Sequence, residues 1–311
     1  MIYKSIYPTL DIPDTNILSY VFPKGQEPSD TPIWIDTKDS SHSLSPRQAL
    51  KWIKQLAASL DRFGVARGET VMTFTPNHIF VPVAYLGVVG SGRVFSGANA
   101  TYTAVEVEYQ IEHTGTKIIL AHPSLLEIAV EAGHKAGLHK DRIFQFSDHP
   151  CMPVNGVEDW RSILSASAGE TYSWEDMLGS AQITVATVNY SSGTTGLPKG
   201  VCVSHHNIIA TSEQTIFMRD QEQPYKTIER PPERWVGFLP LYHAYGRVTF
   251  AVLQFSHTDV FRTTVHVYYG AQAPHSRIRD AKIRLRGFSS MHPRPSHHKS
   301  SVSPFNSHYA R

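Results

Sequence analysis

The chain has 311 residues, a formal net charge of +2, and 41% hydrophobic and 18% charged residues. This length corresponds to about two average domains, and the composition excludes a disordered or fibrous chain. The small net charge gives no argument for a nucleic-acid partner. The two cysteines, Cys151 and Cys202, have neither C-x-x-C nor metal-ligand spacing. We therefore expect an intracellular, cytoplasmic protein without a disulfide framework.

Neither the N-terminus nor the longest apolar run predicts a membrane segment. Pro8, Asp11 and Pro13 interrupt the first twenty residues, which therefore lack the continuous apolar region of a signal peptide. The longest apolar run, IFVPVAYLGVVGSG at 79–92, is too short and too rich in glycine to cross a bilayer. The sequence predicts a soluble protein without a transmembrane segment.

Helix and strand patterns alternate over residues 43–147. The first segment, SLSPRQALKWIKQLAASLDRFG, predicts a helix with Ser45 as its cap, Pro46 at its first position and Gly64 at its end. Later helices are predicted in HIFVPVAYLGVVGSG, from about Thr103, and in SLLEIAVEAGHKAG. Strands are predicted in ETVMTFTPN, which ends in a turn at Asn77, and in KIILAH and DRIFQFS. This alternation predicts an α/β architecture with a largely parallel sheet.

Residues 183–204 predict two strands joined by a loop rich in glycine and hydroxyl side chains. The loop lies in YSSGTTGLPKGV at 190–201. Its glycines allow the backbone to approach an anion closely, its hydroxyls can donate hydrogen bonds to phosphate oxygens, and Lys199 supplies a point charge. Ser204 then caps a following helix.

A Walker A loop does not fit this segment. Pro198 stands where the second glycine is required, and Gly200 follows Lys199 where a magnesium-binding hydroxyl is required. The loop also leads into a strand, so no helix N-terminus lies under the phosphates. Taken generically, a flexible surface hairpin explains the composition as well as a phosphate site does.

The longer motifs separate these alternatives. YSSGTTGLPKGV followed by SHHNI resembles the signature of the adenylate-forming (AMP-binding) superfamily, which includes acyl-CoA synthetases and coumarate–CoA ligases. GVARGETVMTFTPN, the segment from YLGVVGSG to GTKII, and VGFLPLYHAYG at 236–246 also resemble family segments. The resemblance covers about residues 15–250, about the first half of a typical member. It implies the N-terminal portion of the layered α/β adenylate-forming domain, with sheets flanked by helices.

The resemblance also implies site residues and co-substrates. The family activates a carboxylic acid with MgATP to an acyl-adenylate and then transfers the acyl group to coenzyme A. The residues that would hold the phosphates are Ser191, Ser192, Gly193, Thr194, Thr195, Gly196 and Lys199. His243 would orient the acyl carboxylate, and Tyr245 would lie near the acyl group or the adenylate; Tyr242 could equally belong to the core. His243 and Lys199 are therefore the catalytic candidates, and we assign no metal ligand.

The sequence departs from the family after Gly246. The last Glu is Glu233, so the family's magnesium-binding Glu is absent, and residues 257–311 hold seven His and nine Lys or Arg against two Asp. We expect a partial AMP-binding domain at 1–250, a disordered His/Arg/Ser/Pro-rich tail at 251–311, and no C-terminal small domain. The abrupt change in composition after Gly246 suggests an altered reading frame or a truncated paralogue.

Two functions follow as expectations. The first is an acyl-CoA ligase, here an inactive or partial chain; the alternative is a non-catalytic nucleotide-binding or interaction protein derived from that family. The expected partner of the protein is a small carboxylic acid, aromatic or fatty. We expect an exposed apolar face that favours oligomers. The peroxisome is the alternative location if the true C-terminus is missing, since the chain ends HYAR rather than S-K-L.

Overall fold

The computed structural model describes residues 5–191, 198–221, 233–248, 252 and 265–269. Within these residues the strands are β1 (Trp34–Asp36), β2 (Ser43–Leu44), β3 (Thr70–Phe74), β4 (Val94–Ala98), β5 (Ile118–Ala121), β6 (Ile143–Gln145), β7 (Val185–Ser191), β8 (Lys199–Ser204), β9 (Glu233–Val236) and β10 (Val265–Tyr269). The α-helices are α1 (Ile17–Val21), α2 (Pro46–Arg62), α3 (Val81–Gly90), α4 (Ala104–Thr114), α5 (Leu126–Lys135), α6 (Ala166–Thr171), α7 (His205–Gln221) and α8 (Ala244–Arg247).

The larger sheet has six strands in the order β6-β5-β3-β4-β7-β8. The first five strands in this order run parallel to one another, and the sixth, β8, is antiparallel to β7. This confirms the predicted α/β architecture with a largely parallel sheet. The carboxyl ends of the five parallel strands share one edge, and the segments that follow them carry the candidate site.

The smaller sheet has the order β2-β1-β10-β9, with β10 parallel to both of its neighbours. The sequence predicts a disordered tail at 251–311, but within it Val265–Tyr269 forms the strand β10. Its sequence, VHVYY, is rich in β-branched and aromatic residues that favour strands. Its pairing partners are remote in sequence, so the composition of the tail gave no sign of them. Residues 270–311 lie outside the described residues.

The helix termini follow the predicted capping chemistry. Ser45 and Gln48 form a capping box at the start of α2, with Pro46 at the first helical position. Thr103 and Glu106 form the same motif at α4. At α7, the Ser204 hydroxyl accepts a hydrogen bond from the Asn207 backbone N–H at 3.2 Å. These local hydrogen bonds satisfy N–H groups that have no partner within the helix.

The core lies on both faces of the larger sheet. On β3, Val71 packs into one apolar cluster with α1, α2 and α3, whereas Met72 packs into a second cluster with α4 and α5. This alternation is the expected result of a strand whose successive side chains point to opposite faces. All ten residues of α3 are buried, which accounts for its almost entirely apolar sequence. Among the described residues, no helix has the length and apolar character needed to cross a membrane.

Candidate functional site

The predicted phosphate loop connects β7 to β8, which pair as antiparallel strands. Tyr190 pairs with Gly200, and Ser191 pairs with Lys199. The segment after the loop is therefore a strand, as the sequence predicts, and not the helix that follows a Walker A loop. Five of the predicted phosphate-binding residues lie outside the described residues: Ser192, Gly193, Thr194, Thr195 and Gly196.

Ser191 and Lys199 face each other across the last described pair of the hairpin. Both residues are exposed. Within the part of the chain that the structure describes, no carboxylate forms an ion pair with Lys199. Its ammonium group and the Ser191 hydroxyl are therefore open to an anion at the mouth of the loop.

Helix α4 forms hydrogen bonds with β7 and with Pro198, the residue before β8. The Tyr109 hydroxyl donates to the Pro198 carbonyl oxygen at 3.1 Å, and the Tyr190 hydroxyl lies 2.6 Å from His113 Nδ1. Burial, followed by the neighbouring Tyr109 and Tyr102, raises the pKa of Tyr190, so its hydroxyl keeps its proton and can donate to His113. Sequence analysis missed this support, although the spacing of Tyr109 and His113 places both on one helix face.

The segment VGFLPLYHAYG is held by Asn77, in the turn after β3. The Asn77 amide nitrogen donates to the carbonyls of Gly237 and Leu239 at 3.0 and 2.8 Å. Its amide oxygen accepts from the Leu241 N–H at 2.8 Å. Sequence analysis placed Asn77 only in a turn, because its partners are more than 150 residues away.

Arg247 joins the same segment to β7. Its guanidinium is buried; it donates to the carbonyls of Leu241 and Tyr242 at 3.2 and 2.6 Å, and to the side-chain oxygen of Asn189. It also lies 5.0 Å from the centre of the Phe95 ring. Burial lowers the pKa of Arg247 to about 10, so the side chain remains a cation at neutral pH. Sequence analysis did not identify this residue.

Gly97, on β4, allows a close approach by the backbone of Tyr242. A Cβ atom at Gly97 would lie 2.7 Å from the Tyr242 Cα atom. Tyr242, whose role the sequence left open, is half-buried and contributes its carbonyl to Arg247. The segment that carries His243 is therefore packed directly on the larger sheet.

His243 and Tyr245 lie together at the exposed start of α8. Nδ1 of His243 accepts a hydrogen bond from the Tyr245 N–H at 3.4 Å, and both side chains are exposed. Because Nδ1 is the acceptor, a neutral ring carries its proton on Nε2. That proton is available to a ligand oxygen. The structure thus brings the two predicted acyl-binding residues into one turn.

The sequence profile of the AMP-binding enzymes matches residues 23–284. The chain belongs to the AMP-binding enzyme family. The match agrees with the resemblance found in the motifs, and it extends past residue 250, where the sequence analysis ended it. Family membership applies to the hairpin and to the His243 segment, since both lie inside the matched range.

The family's curated relatives include several ligases. The chain is 31% identical to the acyl-CoA ligase azaF of Aspergillus niger over 238 residues, which cover 76% of this chain and 43% of that ligase. It is 26% identical to the 4-coumarate–CoA ligase-like protein 9 of Oryza sativa, covering 79% of this chain and 42% of that protein. The chain therefore spans less than half the length of these AMP-binding relatives.

The fold of this AMP-binding chain is also similar to solved structures. ATP-bound MatB from Rhodopseudomonas palustris aligns with a TM-score of 0.62 and 21% identity, covering 85% of this chain and 47% of MatB. A benzoate CoA ligase from Burkholderia xenovorans aligns with a TM-score of 0.64 and 18% identity, covering 87% of this chain and 48% of that ligase. These likenesses concern the fold, a mixed α/β arrangement with helices on both sides of a parallel sheet.

Proposed function

We propose that these residues form the phosphate-binding and acyl-orienting part of an acyl-CoA ligase. The overall reaction would join a carboxylic acid to ATP, release pyrophosphate, and pass the acyl group from AMP to coenzyme A. Family membership and the similarity to acyl-CoA ligases support this proposal. The observation that carries it is the hydrogen bond between Asn189 and Arg247, which joins the phosphate hairpin to the His243 segment.

In this proposal the hairpin holds the β- and γ-phosphates of ATP. Lys199 supplies a positive charge, and the hydroxyl and N–H groups of residues 191–196 donate to phosphate oxygens. Such donors stabilise the charge that develops on the departing pyrophosphate. The sequence contains no Glu after Glu233 that could match the family's magnesium carboxylate, so the proposed roles of these residues do not include binding magnesium.

His243 would orient the acid. Its Nε2–H donates to one carboxylate oxygen and leaves the other oxygen free to attack the α-phosphate. The contacts of Arg247 and Asn77 hold the backbone on which His243 lies. This contribution is one of positioning, because a correctly oriented attack needs less activation than a diffusional encounter. Tyr245, on the same turn, would contact the acyl group or the adenylate.

For a protein of these 311 residues we propose ATP binding without turnover. By resemblance, the family's later motifs provide the adenine wall, the ribose Asp and the magnesium carboxylate, and none of these motifs is found in this sequence. A lysine and several donors alone give weak, salt-sensitive binding of the polyphosphate. This matches the alternative of a non-catalytic nucleotide-binding protein. A longer protein containing these residues could complete the reaction.

The test combines ATP titration with a pyrophosphate-release assay on the purified 311-residue protein. We expect saturable ATP binding that weakens at least tenfold in Lys199→Met and is unchanged in Lys51→Met, a control at an exposed lysine of α2. We also expect no pyrophosphate release with aryl or fatty acids. Equal ATP affinity in both variants would contradict the assignment of the hairpin, whereas acid-dependent pyrophosphate release would contradict the proposed lack of turnover.

A further inference from the structure

A second cluster of polar side chains lies at the other end of the same sheet edge. Asp148 and His149 follow β6, whereas the phosphate hairpin follows β7, four strand spacings away in the sheet order. At about 4.8 Å per spacing this separation is about 19 Å. His42 joins the cluster from the turn before β2. The cluster is therefore separate from the hairpin.

We propose that His42, Asp148 and His149 form a binding site for a divalent transition-metal ion such as Zn²⁺. Each residue offers one ligand atom, and these three atoms lie within 4.8 Å of one another. Two imidazoles and one carboxylate are ligands that Zn²⁺ prefers, and a water molecule would complete a four-coordinate site.

The distances allow closure around an ion by side-chain movement alone. Bonds of about 2.0–2.1 Å in tetrahedral geometry place the ligand atoms about 3.4 Å apart. The three atoms therefore need to approach one another by at most about 1.4 Å. The His149 side chain is 68% exposed and can turn toward the other two ligands, whereas the Asp148 side chain is 24% exposed and more confined.

His42 provides an independent observation that points to a ligand. Its Nε2 atom is buried and has no hydrogen-bond partner among the residues that the structure describes, and leaving such an atom unpaired is costly. The His42 ring stacks on the His149 ring, with centroids 4.5 Å apart and planes at 20°. A bound ion would satisfy the buried nitrogen.

Arg161 holds the segment that carries two of the ligands. Its guanidinium donates to the carbonyls of Ser147, Asp148 and His149 at 3.1, 2.9 and 3.2 Å. Its positive charge is balanced by Asp159 at 3.2 Å. The Ser147 hydroxyl donates to the Asp148 carboxylate at 3.1 Å. Such outer contacts orient metal ligands before the ion arrives.

The test measures binding of Zn²⁺ by calorimetry and of Co²⁺ by its visible absorption, which reports coordination geometry. The full chain carries the adjacent pair His297 and His298, which could bind metal independently. All measurements therefore use a background with both replaced by Ala. We expect one equivalent of Co²⁺ to bind with tetrahedral absorption.

The variants are His149→Ala, Asp148→Asn and His42→Ala, with His139→Ala as the matched control. His139 is an exposed histidine that also lies beside a carboxylate, Asp141 at 2.7 Å. Losing a ligand should weaken binding at least tenfold, as much as the loss of an outer contact does, whereas the control should be unchanged. Because His42 is partly buried, circular dichroism checks that the His42→Ala variant still folds. His149 is exposed, so its replacement tests metal binding without disturbing the fold. Absence of saturable binding, or equal affinity in His149→Ala and His139→Ala, would overturn the proposal.

Discussion

The side-chain oxygen of Asn189 on β7 accepts a hydrogen bond from the buried guanidinium of Arg247 at the end of α8. This contact joins two segments that are 58 residues apart in sequence. The guanidinium also fixes the carbonyls of Leu241 and Tyr242, so one side chain sets the position of the His243 turn relative to the hairpin.

Replacing Asn189 with Ala should destabilise the protein. The substitution leaves a buried guanidinium donor without its partner, which costs about 1–3 kcal/mol in the free energy of unfolding. Urea unfolding followed by circular dichroism measures the change. Thr187→Val is the matched control, because it removes the other hydrogen bond of Asn189, at 3.1 Å, and leaves Arg247 satisfied. A loss as large in Thr187→Val as in Asn189→Ala would show that Arg247 is not the important partner.

Gly97→Ala should displace the His243 segment. The added Cβ atom would lie 2.7 Å from the Tyr242 Cα atom and 3.1 Å from the Arg247 guanidinium nitrogen, and neither neighbour can move without disturbing the other. Overpacking of this kind costs about 1–3 kcal/mol of stability. Thermal unfolding measures the loss. An unchanged transition temperature would mean that the segment does not pack on β4 in solution.

Much of the fold could be predicted because its signals are local. The capping residues Ser45 and Thr103 mark the first turns of α2 and α4, and the glycine-rich loop between two apolar runs marks the β7–β8 hairpin. These features depend on residues that are close in sequence. The strand β10 was missed because it pairs with β1 and β9, and a composition argument does not detect long-range pairing.

The candidate site was predictable in part for the same reason. Ser191 and Lys199 lie in the predicted hairpin, and His243 and Tyr245 share one turn; their roles in ATP and acyl binding stay predictions. Asn77 and Arg247 were not identified, since an asparagine in a turn and an arginine after a motif are ordinary in sequence. Only their long-range hydrogen bonds distinguish them.

Tyr190→Phe should loosen the hairpin. It removes the hydrogen bond to His113 and keeps the ring contacts with Tyr109 and His113. The expected loss is about 0.5–1.5 kcal/mol in the free energy of unfolding, with faster amide hydrogen exchange in β7 and β8. Tyr109→Phe, which removes the hydrogen bond to Pro198, should have a similar effect. Unchanged exchange in both variants would exclude α4 as a support of the hairpin.

The buried His205 should make the free energy of unfolding depend on pH. The residue is buried at the start of α7, and its Nδ1 accepts a hydrogen bond from the Ile17 N–H at 3.1 Å. Burial lowers its pKa from 6.5 to about 4, so the folded protein holds the neutral ring. The unfolded chain binds the proton more readily. Stability from this group is therefore complete above about pH 6.5 and is lost as the pH falls toward about 4.

His205→Gln should reduce this acid sensitivity, because glutamine can accept the same hydrogen bond and does not titrate. Between pH 7 and pH 5 the original protein should lose about 2 kcal/mol more of its free energy of unfolding than the variant does. Urea titrations at the two pH values provide the measurement. His134→Gln, at an exposed histidine of α5, is the matched control. If His205→Gln and His134→Gln lose equal stability between these pH values, His205 is not buried as a neutral ring, and its contact with Ile17 does not persist in solution.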